Sequence, residues 1–417
     1  MPVLPLGLGF IARAVQDAGH DIKIINTMDQ EKLIQEVTLS IKEFEPMVIG
    51  ISVRNIDDQV MEPTRFLLEP VKALITICRK YTKAKIIIGG AGYSIFPGAV
   101  LSFLGADMGI CGPGEKSFVM LLEHIEKGSE IAGTDPADIP GLYLPGKPFS
   151  GPRDFSEKLD DFAIPLPGIH LFSPFKTAKE DLWMPFQTRR GCPMDCSYCS
   201  TAAIEGRITR KRDIIHVVDM LSQYVSAGFS QFFFVDNIFN IPASYANSLC
   251  DRIIEKKLKI SWRCITYPWK LDTKMAEKMA AAGCSEVSLG FESGSPEILK
   301  AFNKKFIPED VRTISGILKK FKIKQTGFLL LGGPGENETT LQQSLEFAES
   351  LDLDAMKLSC GIRIYPGTEL ARQAVKEGII EPDDDLLFPK FYIAAEIKDH
   401  LKEIAGTWVG KHPNWFF

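Results

Sequence analysis

Arg190-Gly191-Cys192-Pro193-Met194-Asp195-Cys196-Ser197-Tyr198-Cys199 gathers three of the chain's nine cysteines at the spacing C-x-x-x-C-x-x-C. Thiolates are the usual ligands of iron–sulfur clusters, and spacing this close lets one loop wrap a cluster. Three ligands would leave one iron open. A zinc site would normally bring a fourth ligand at recognisable spacing, and His170 and His216 fit no such pattern. The other six, Cys78, Cys111, Cys250, Cys264, Cys284 and Cys360, are scattered and read as buried, inert thiols. An odd count without a visible secretion signal argues against a disulfide framework.

Outward from the cysteines, the pattern is one of alternating strands and helices. Residues 183–380 repeat a strand–helix unit about six times. The expected strands are 183–188, 231–235, 261–265, 286–290, 326–331 and 355–362, with helices 212–227, 245–256, 273–282, 309–321 and 339–351 between them. Six units fall short of the eight that close a full barrel, so the reading is α/β with a partial, open (β/α)6 barrel, its chemistry at the C-terminal strand ends. The cysteine loop follows the first of these strands. Residues 381–417 read as a short tail, acidic at Asp383-Asp384-Asp385.

Residues 1–128 also alternate short β-type runs with amphipathic helices, which implies a doubly wound, Rossmann-like parallel sheet. The expected strands are 47–53, 85–88 and 106–110. A helix over 31–44 would put Leu33, Ile34, Val37, Ile41 and Phe44 on one face. A strand is expected ahead of Leu4-Pro5-Leu6-Gly7, where the sequence shows none. Residues 129–182, with prolines at 136, 140, 145, 148, 152, 165, 167 and 174, read as a linker packed between two domains.

Lys plus Arg is 48 and Asp plus Glu is 53, a net charge of −5 that gives no electrostatic case for nucleic-acid binding. No run approaches the ~18 apolar residues of a membrane span. A cytoplasmic protein is the expectation.

The cysteine motif, with Tyr198 just before its last cysteine, resembles the radical S-adenosylmethionine (SAM) superfamily over roughly residues 183–380. The resemblance implies a 4Fe–4S cluster on Cys192, Cys196 and Cys199. It also implies SAM chelating the open iron, with Tyr198 at the SAM site, and an electron donor such as ferredoxin or flavodoxin. Successive strand ends carry matching segments. Asp236, in Phe234-Val235-Asp236-Asn237, falls where the family contacts the SAM amino group. In Gly290-Phe291-Glu292-Ser293-Gly294-Ser295, the resemblance gives Glu292 the ribose hydroxyls and Ser293 the methionyl carboxylate. Gly332 and Gly333 would allow close approach to a ligand. Arg363 follows the sixth strand, and Arg263 on the third could pair with a carboxylate of SAM or substrate.

The first 125 residues resemble the cobalamin-binding domain fused to many radical SAM enzymes. The match rests on Pro5-Leu6-Gly7-Leu8, Ala18-Gly19-His20, the Gly89-Gly90 strand end and Gly112-x-Gly114-Glu115. The resemblance implies cobalamin contacts from Leu6, Ser52, Arg54, Asn55, Gly89, Gly90, Tyr93, Ser94, Gly112, Gly114 and Glu115. The D-x-H-x-x-G that supplies a histidine to cobalt in methionine-synthase-type domains is absent. Arg54 and Asn55 would then face the lower side of the corrin. With both cofactors, methylation of an unactivated carbon is the expected reaction, and cyclisation or ring rearrangement of a small molecule without methyl transfer is the alternative. Analogy with compact family members extends this to a protein acceptor such as glutamine or arginine in methyl-coenzyme M reductase; a lipid or natural product stays open.

Overall fold

In the computed structural model, the described residues are 4–25, 30–128, 138–147, 155, 158–168 and 182–417. Most of the expected linker therefore lies outside them.

The first sheet has the order β1 (Val48–Ser52), β2 (Lys85–Gly89), β3 (Met108–Ile110), β4 (Leu142–Tyr143). β1, β2 and β3 run parallel, and β4, from the expected linker, adds antiparallel to β3. The β2 run Ile86-Ile87-Ile88 is buried, as a parallel strand covered on both faces requires. No strand precedes the helix Leu6–Asp17 among the described residues. The helix Gln30–Phe44 buries Val37 and Ile41 as its period demands. Ile34 and Phe44 depart from that expectation, at 59% and 38% exposed.

The second sheet is an open barrel. Its strands are β5 (Trp183–Phe186), β8 (Gln231–Phe234), β9 (Ser261–Thr266), β10 (Cys284–Glu292), β11 (Lys324–Leu331), β12 (Ala355–Cys360) and β15 (Trp415–Phe416). The small pairs β6 (Arg189–Arg190) with β7 (Arg210–Lys211), and β13 (Ile362–Arg363) with β14 (Phe391–Tyr392), lie beside it. The order β15-β12-β11-β10-β9-β8-β5 contains the six expected strands and a seventh. That seventh corrects the reading of 381–417 as a plain tail: Trp415 pairs with Met356, and the helix Leu401–Lys411 packs below it. Burial alternates along β9, with Trp262 and Cys264 turned to the helical shell and Arg263 turned to the barrel lumen.

One core runs through both sheets, joining residues such as Ile86, Tyr93 and Val100 to Met184, Phe232 and Leu331. Two buried ion pairs cross between the halves. Arg363 donates from Nε to Asp57 at 2.8 Å, and its other nitrogens donate to the carbonyls of Ile364, Leu386 and Leu387. Arg190 meets Glu115 at 2.5 Å and lies over the Phe10 ring. Phe66, from the first half, packs on Phe388 at 4.8 Å.

Removing one partner of a buried pair strands the other, at about 3–5 kcal/mol. Arg363→Ala should therefore unfold at clearly lower temperature or denaturant concentration than wild type. Arg372→Ala, which breaks an exposed i,i+3 pair with Glu369, should move stability by about 1 kcal/mol or less.

Candidate active site

The cysteine loop starts where the backbone is forced to turn. Gly191 has φ +90°, and a Cβ there would lie 2.2 Å from the Ile208 carbonyl oxygen, so only glycine fits. The loop is then tied down along its length. Gly191 N donates to Glu205 Oε2 at 3.0 Å, and Cys192 N to the Gly206 carbonyl at 3.1 Å. Asp195 accepts from Arg207 and from Asn303. Ser197 N donates to the Phe302 carbonyl, and Ser197 O accepts from Leu370 N.

Cys192, Cys196 and Cys199 are all free thiols, the last of them exposed. Burial pushes Cys192 up to about 11, and the ionised forms of Cys199 and Cys196 add to that push, so the three sulfurs lie within electrostatic reach of one another. No group of three or more His, Cys, Asp or Glu side chains among the described residues closes on a single ion. Three thiols on one loop suit a cluster, in which each thiolate takes a different iron.

Beneath the loop lies a residue that the sequence reading missed, Lys304. Its ammonium donates to Tyr198 Oη at 2.8 Å and to Glu292 Oε1 at 3.3 Å. Burial would favour the neutral amine; the charges of Glu292, Tyr198 and Cys196 reverse that and hold the ammonium above its ordinary range. Glu292 stands at a register shift in β10 with φ +66°, a left-handed conformation uncommon for a residue with a side chain. Tyr198 and Glu292, both expected at the SAM site, are thus brought together next to Cys196. Lys304 was missed because it belongs to no motif; its only signal was the Lys304-Lys305 pair shortly after the Glu292 segment.

Several other expectations are corrected. Asp236 is wholly buried, its carboxylate taken by Thr188 N, Thr188 Oγ1, Arg189 N and the Arg189 guanidinium at 3.0 Å. It anchors the approach to the cysteine loop, with no oxygen left for a SAM ammonium. Ser293 is buried, its hydroxyl shared with Ser344 and accepting from Ser295 N. Arg363 is spent on Asp57 and three carbonyls. The glycines at the β11 end make room for the protein itself: a Cβ on Gly333 would sit 2.5 Å from the Phe302 ring, and one on Gly332 would meet Leu401 at 3.2 Å. Among the described residues Arg263 makes no ion pair; its guanidinium lies 4.5 Å from the Trp183 ring and 4.9 Å from that of Phe233, with Nε buried and without a hydrogen-bond partner among them.

The strand ends of the first sheet divide in the same way. Glu115 is buried and committed to Arg190. Burial would raise its carboxyl, but the Arg190 guanidinium overrides that and holds it below the ordinary range. Tyr93 is fully buried against Gly109, where a Cβ would collide with its hydroxyl. Ser94 Oγ donates to Gly90 O and accepts from Gly112 N, and so builds the glycine loops. Ser52, Arg54 and Asn55 are exposed, and Leu6, Gly89, Gly90, Gly112 and Gly114 partly so. Asp57 is taken by Arg363, and Asp58 accepts from Val60 N and Arg65 N, so neither pairs with Arg54. A Cβ at Gly90 would lie 2.6 Å from Val53 O, and one at Gly92 2.9 Å from Arg54 O. The glycines therefore close the β2 turn onto the β1 loop and leave the rim open, as a large flat cofactor requires.

This rim abuts the cysteine loop. The helix Ala91–Ile95, after the Gly89-Gly90 turn, packs on the helix Thr201–Glu205, just past Cys199. Tyr365 lies between the two halves, beside the Phe96 ring, its ionised form disfavoured by burial and then by Asp57.

Comparison with known proteins agrees with this geometry. Residues 187–348 match the Radical SAM superfamily and residues 2–122 the B12 binding domain. An uncharacterized methyltransferase of Pyrococcus horikoshii is 28% identical over 385 residues, 90% of this chain and 79% of the relative. The cytidylyl-2-hydroxyethylphosphonate methyltransferase of Streptomyces wedmorensis is 25% identical over 463 residues, 98% and 83% of the two chains. The structure of the radical SAM methyltransferase TsrM from Kitasatospora setae, with cobalamin and a [4Fe-4S] cluster bound, superposes with a TM-score of 0.79 at 22% identity, covering 90% of this chain and 72% of that one. A B12 binding domain fused to a radical SAM domain defines the class of protein. The chain carries a radical SAM domain, the kind that holds a 4Fe–4S cluster and SAM, and a B12 binding domain, the kind that holds cobalamin.

One buried carboxyl in this region gives a pH test. Glu336 accepts from the backbone N–H groups of Gly332 and Gly333, while its Oε1 is buried without a partner. Burial pushes it up to about 7, against the lowering by those two bonds. The folded state thus holds a proton that the unfolded chain releases near its ordinary value of 4.5. Stability from this group is present below that value and is lost as pH rises to about 7. Glu336→Gln should flatten this stretch of the thermal stability profile; an unchanged slope would show that Glu336 is ionised throughout.

Proposed function

We propose that this chain transfers a methyl group to an unactivated carbon. The observation that carries the reading is the juxtaposition just described: the open rim of the first sheet stands against the cysteine loop, and Arg190 and Glu115 lock the two together. When bound, the cluster and SAM would supply radical chemistry and cobalamin a transferable methyl group. The chain's own residues hold and orient these parts. Cys192, Cys196 and Cys199 would ligate the cluster, and Glu292 would accept from the SAM ribose. Arg54 and Asn55 would face the lower side of the corrin, where an arginine offers donors and no ligand. Arg263, held flat between Trp183 and Phe233, presents its outer nitrogens to the lumen, where a carboxylate would pair with them. A low-potential one-electron donor of the ferredoxin or flavodoxin kind is needed as a partner.

The relatives favour methylation over cyclisation or ring rearrangement, since both relatives compared are methyltransferases by name. The acceptor is a separate matter. A side chain of methyl-coenzyme M reductase rests on the family analogy alone, and the named acceptor of the Streptomyces wedmorensis relative is a small cytidylylated phosphonate. No helix among the described residues is long and apolar enough to cross a membrane.

SAM breakdown separates the readings. The reduced, cobalamin-loaded protein should release both S-adenosylhomocysteine, from methyl donation, and 5′-deoxyadenosine, from reductive cleavage. Cys192→Ala, Cys196→Ala and Cys199→Ala should each abolish the second product. Deoxyadenosine without S-adenosylhomocysteine would favour rearrangement chemistry, and full cleavage by a cysteine variant would contradict the cluster assignment.

A further inference from the structure

We infer that Lys304 is a built-in countercharge for the iron–sulfur cluster, a positioning residue that makes the cluster easier to reduce. The inference rests on the cluster reading above. Lys304 is only 4% exposed, yet among the described residues it has a single anionic side-chain partner, Glu292 at 3.3 Å. A buried ammonium is costly unless it is paired and hydrogen-bonded. Tyr198 Oη takes one N–H at 2.8 Å and Glu292 another, and the ammonium lies near enough to Cys192 and Cys196 for its charge to favour both thiolates. The ring centroids of Tyr198, Tyr267 and Phe306 stand 5.2, 5.8 and 6.0 Å from the nitrogen. Aromatic faces hold a cation without cancelling its charge.

A lysine needed only to neutralise Glu292 would have no reason to bond Tyr198, which stands between two of the cluster cysteines, as well. The position is also enforced. Asn303 donates to the Asp195 carbonyl at 2.8 Å, Ser197 N donates to the Phe302 carbonyl at 3.1 Å, and Lys305 N donates to Tyr267 Oη at 3.0 Å. The first two bonds lace residues 302–303 to the cysteine loop and the third ties Lys305 to the segment after β9, so the ammonium and Cys196 cannot separate without dismantling these contacts.

Net charge and hydrogen bonds to sulfur set the potential of such clusters. On reduction the cluster gains one electron from the external donor, and no proton or bond is exchanged. The added negative charge is stabilised by a cation already in place, so the reduced form gains most.

The test is a redox titration of the reconstituted protein without SAM, followed by electron paramagnetic resonance of the reduced cluster. Iron and sulfide content are measured beside it, so that a failure to hold a cluster is told apart from a shift in potential. Lys304→Gln keeps donors but loses the charge. Its reduced-to-oxidised ratio at fixed potential should fall about tenfold or more, the ~59 mV step of a one-electron couple. Glu292→Gln leaves the ammonium unopposed and should shift the ratio the other way. Opposite shifts support the inference, because a merely structural role would not reverse sign between the two. A fully loaded Lys304→Gln protein with unchanged potential overturns it. Should that variant fail to assemble, a Glu292→Gln protein whose cluster is no easier to reduce overturns it equally.

Discussion

Arg190 stands two residues before the first cluster cysteine, and its guanidinium meets a glutamate of the other half of the molecule at 2.5 Å, both side chains buried. Much of the arrangement depends on this contact. A buried ion pair is weak evidence for stability, because desolvation offsets most of the attraction. What it secures is register: only one docking of the first sheet on the barrel lets both charges be paired. That docking sets the open rim of β1 and β2 against the loop carrying Cys192, Cys196 and Cys199. Arg363 and Asp57 repeat the device on the far side, at the end of β12.

The division of labour among polar residues follows from the same constraint. Strand ends of a parallel sheet or barrel are where ligands bind, and also where chain segments must be anchored to one another. Asp236, Ser293, Glu115 and Arg363 all lie at such ends and all serve as anchors. Glu292, Tyr198 and Arg263 stay partly exposed, and Arg54 is exposed. Burial with a full set of partners separates the two groups, and residue type does not.

That is also where sequence reading reached its limit. The cysteine spacing, the strand–helix alternation and the glycine turns are local, and each appeared in the structure close to where the pattern put it. Pairings across hundreds of residues, such as Asp57 with Arg363 or Lys304 with Tyr198, leave no local trace. Asp236 illustrates the difficulty: a carboxylate past a strand end looks the same in sequence whether it faces a ligand or the neighbouring Thr188 N–H. The seventh strand, Trp415–Phe416, was missed because a two-residue pairing has no periodicity to detect. Ile34 and Phe44 were placed inside because a helical period marks a face and not how much of that face is covered.

The central claim is that the two cofactors face each other across one rigid interface. Electron paramagnetic resonance of the fully loaded protein, with cob(II)alamin and the reduced cluster present together, tests it most directly. The account expects each spin to broaden and relax the other, with the effect lost when Arg190→Ala loosens the docking. Two spectra that simply add, unchanged from those of protein carrying one paramagnetic centre at a time, would contradict it.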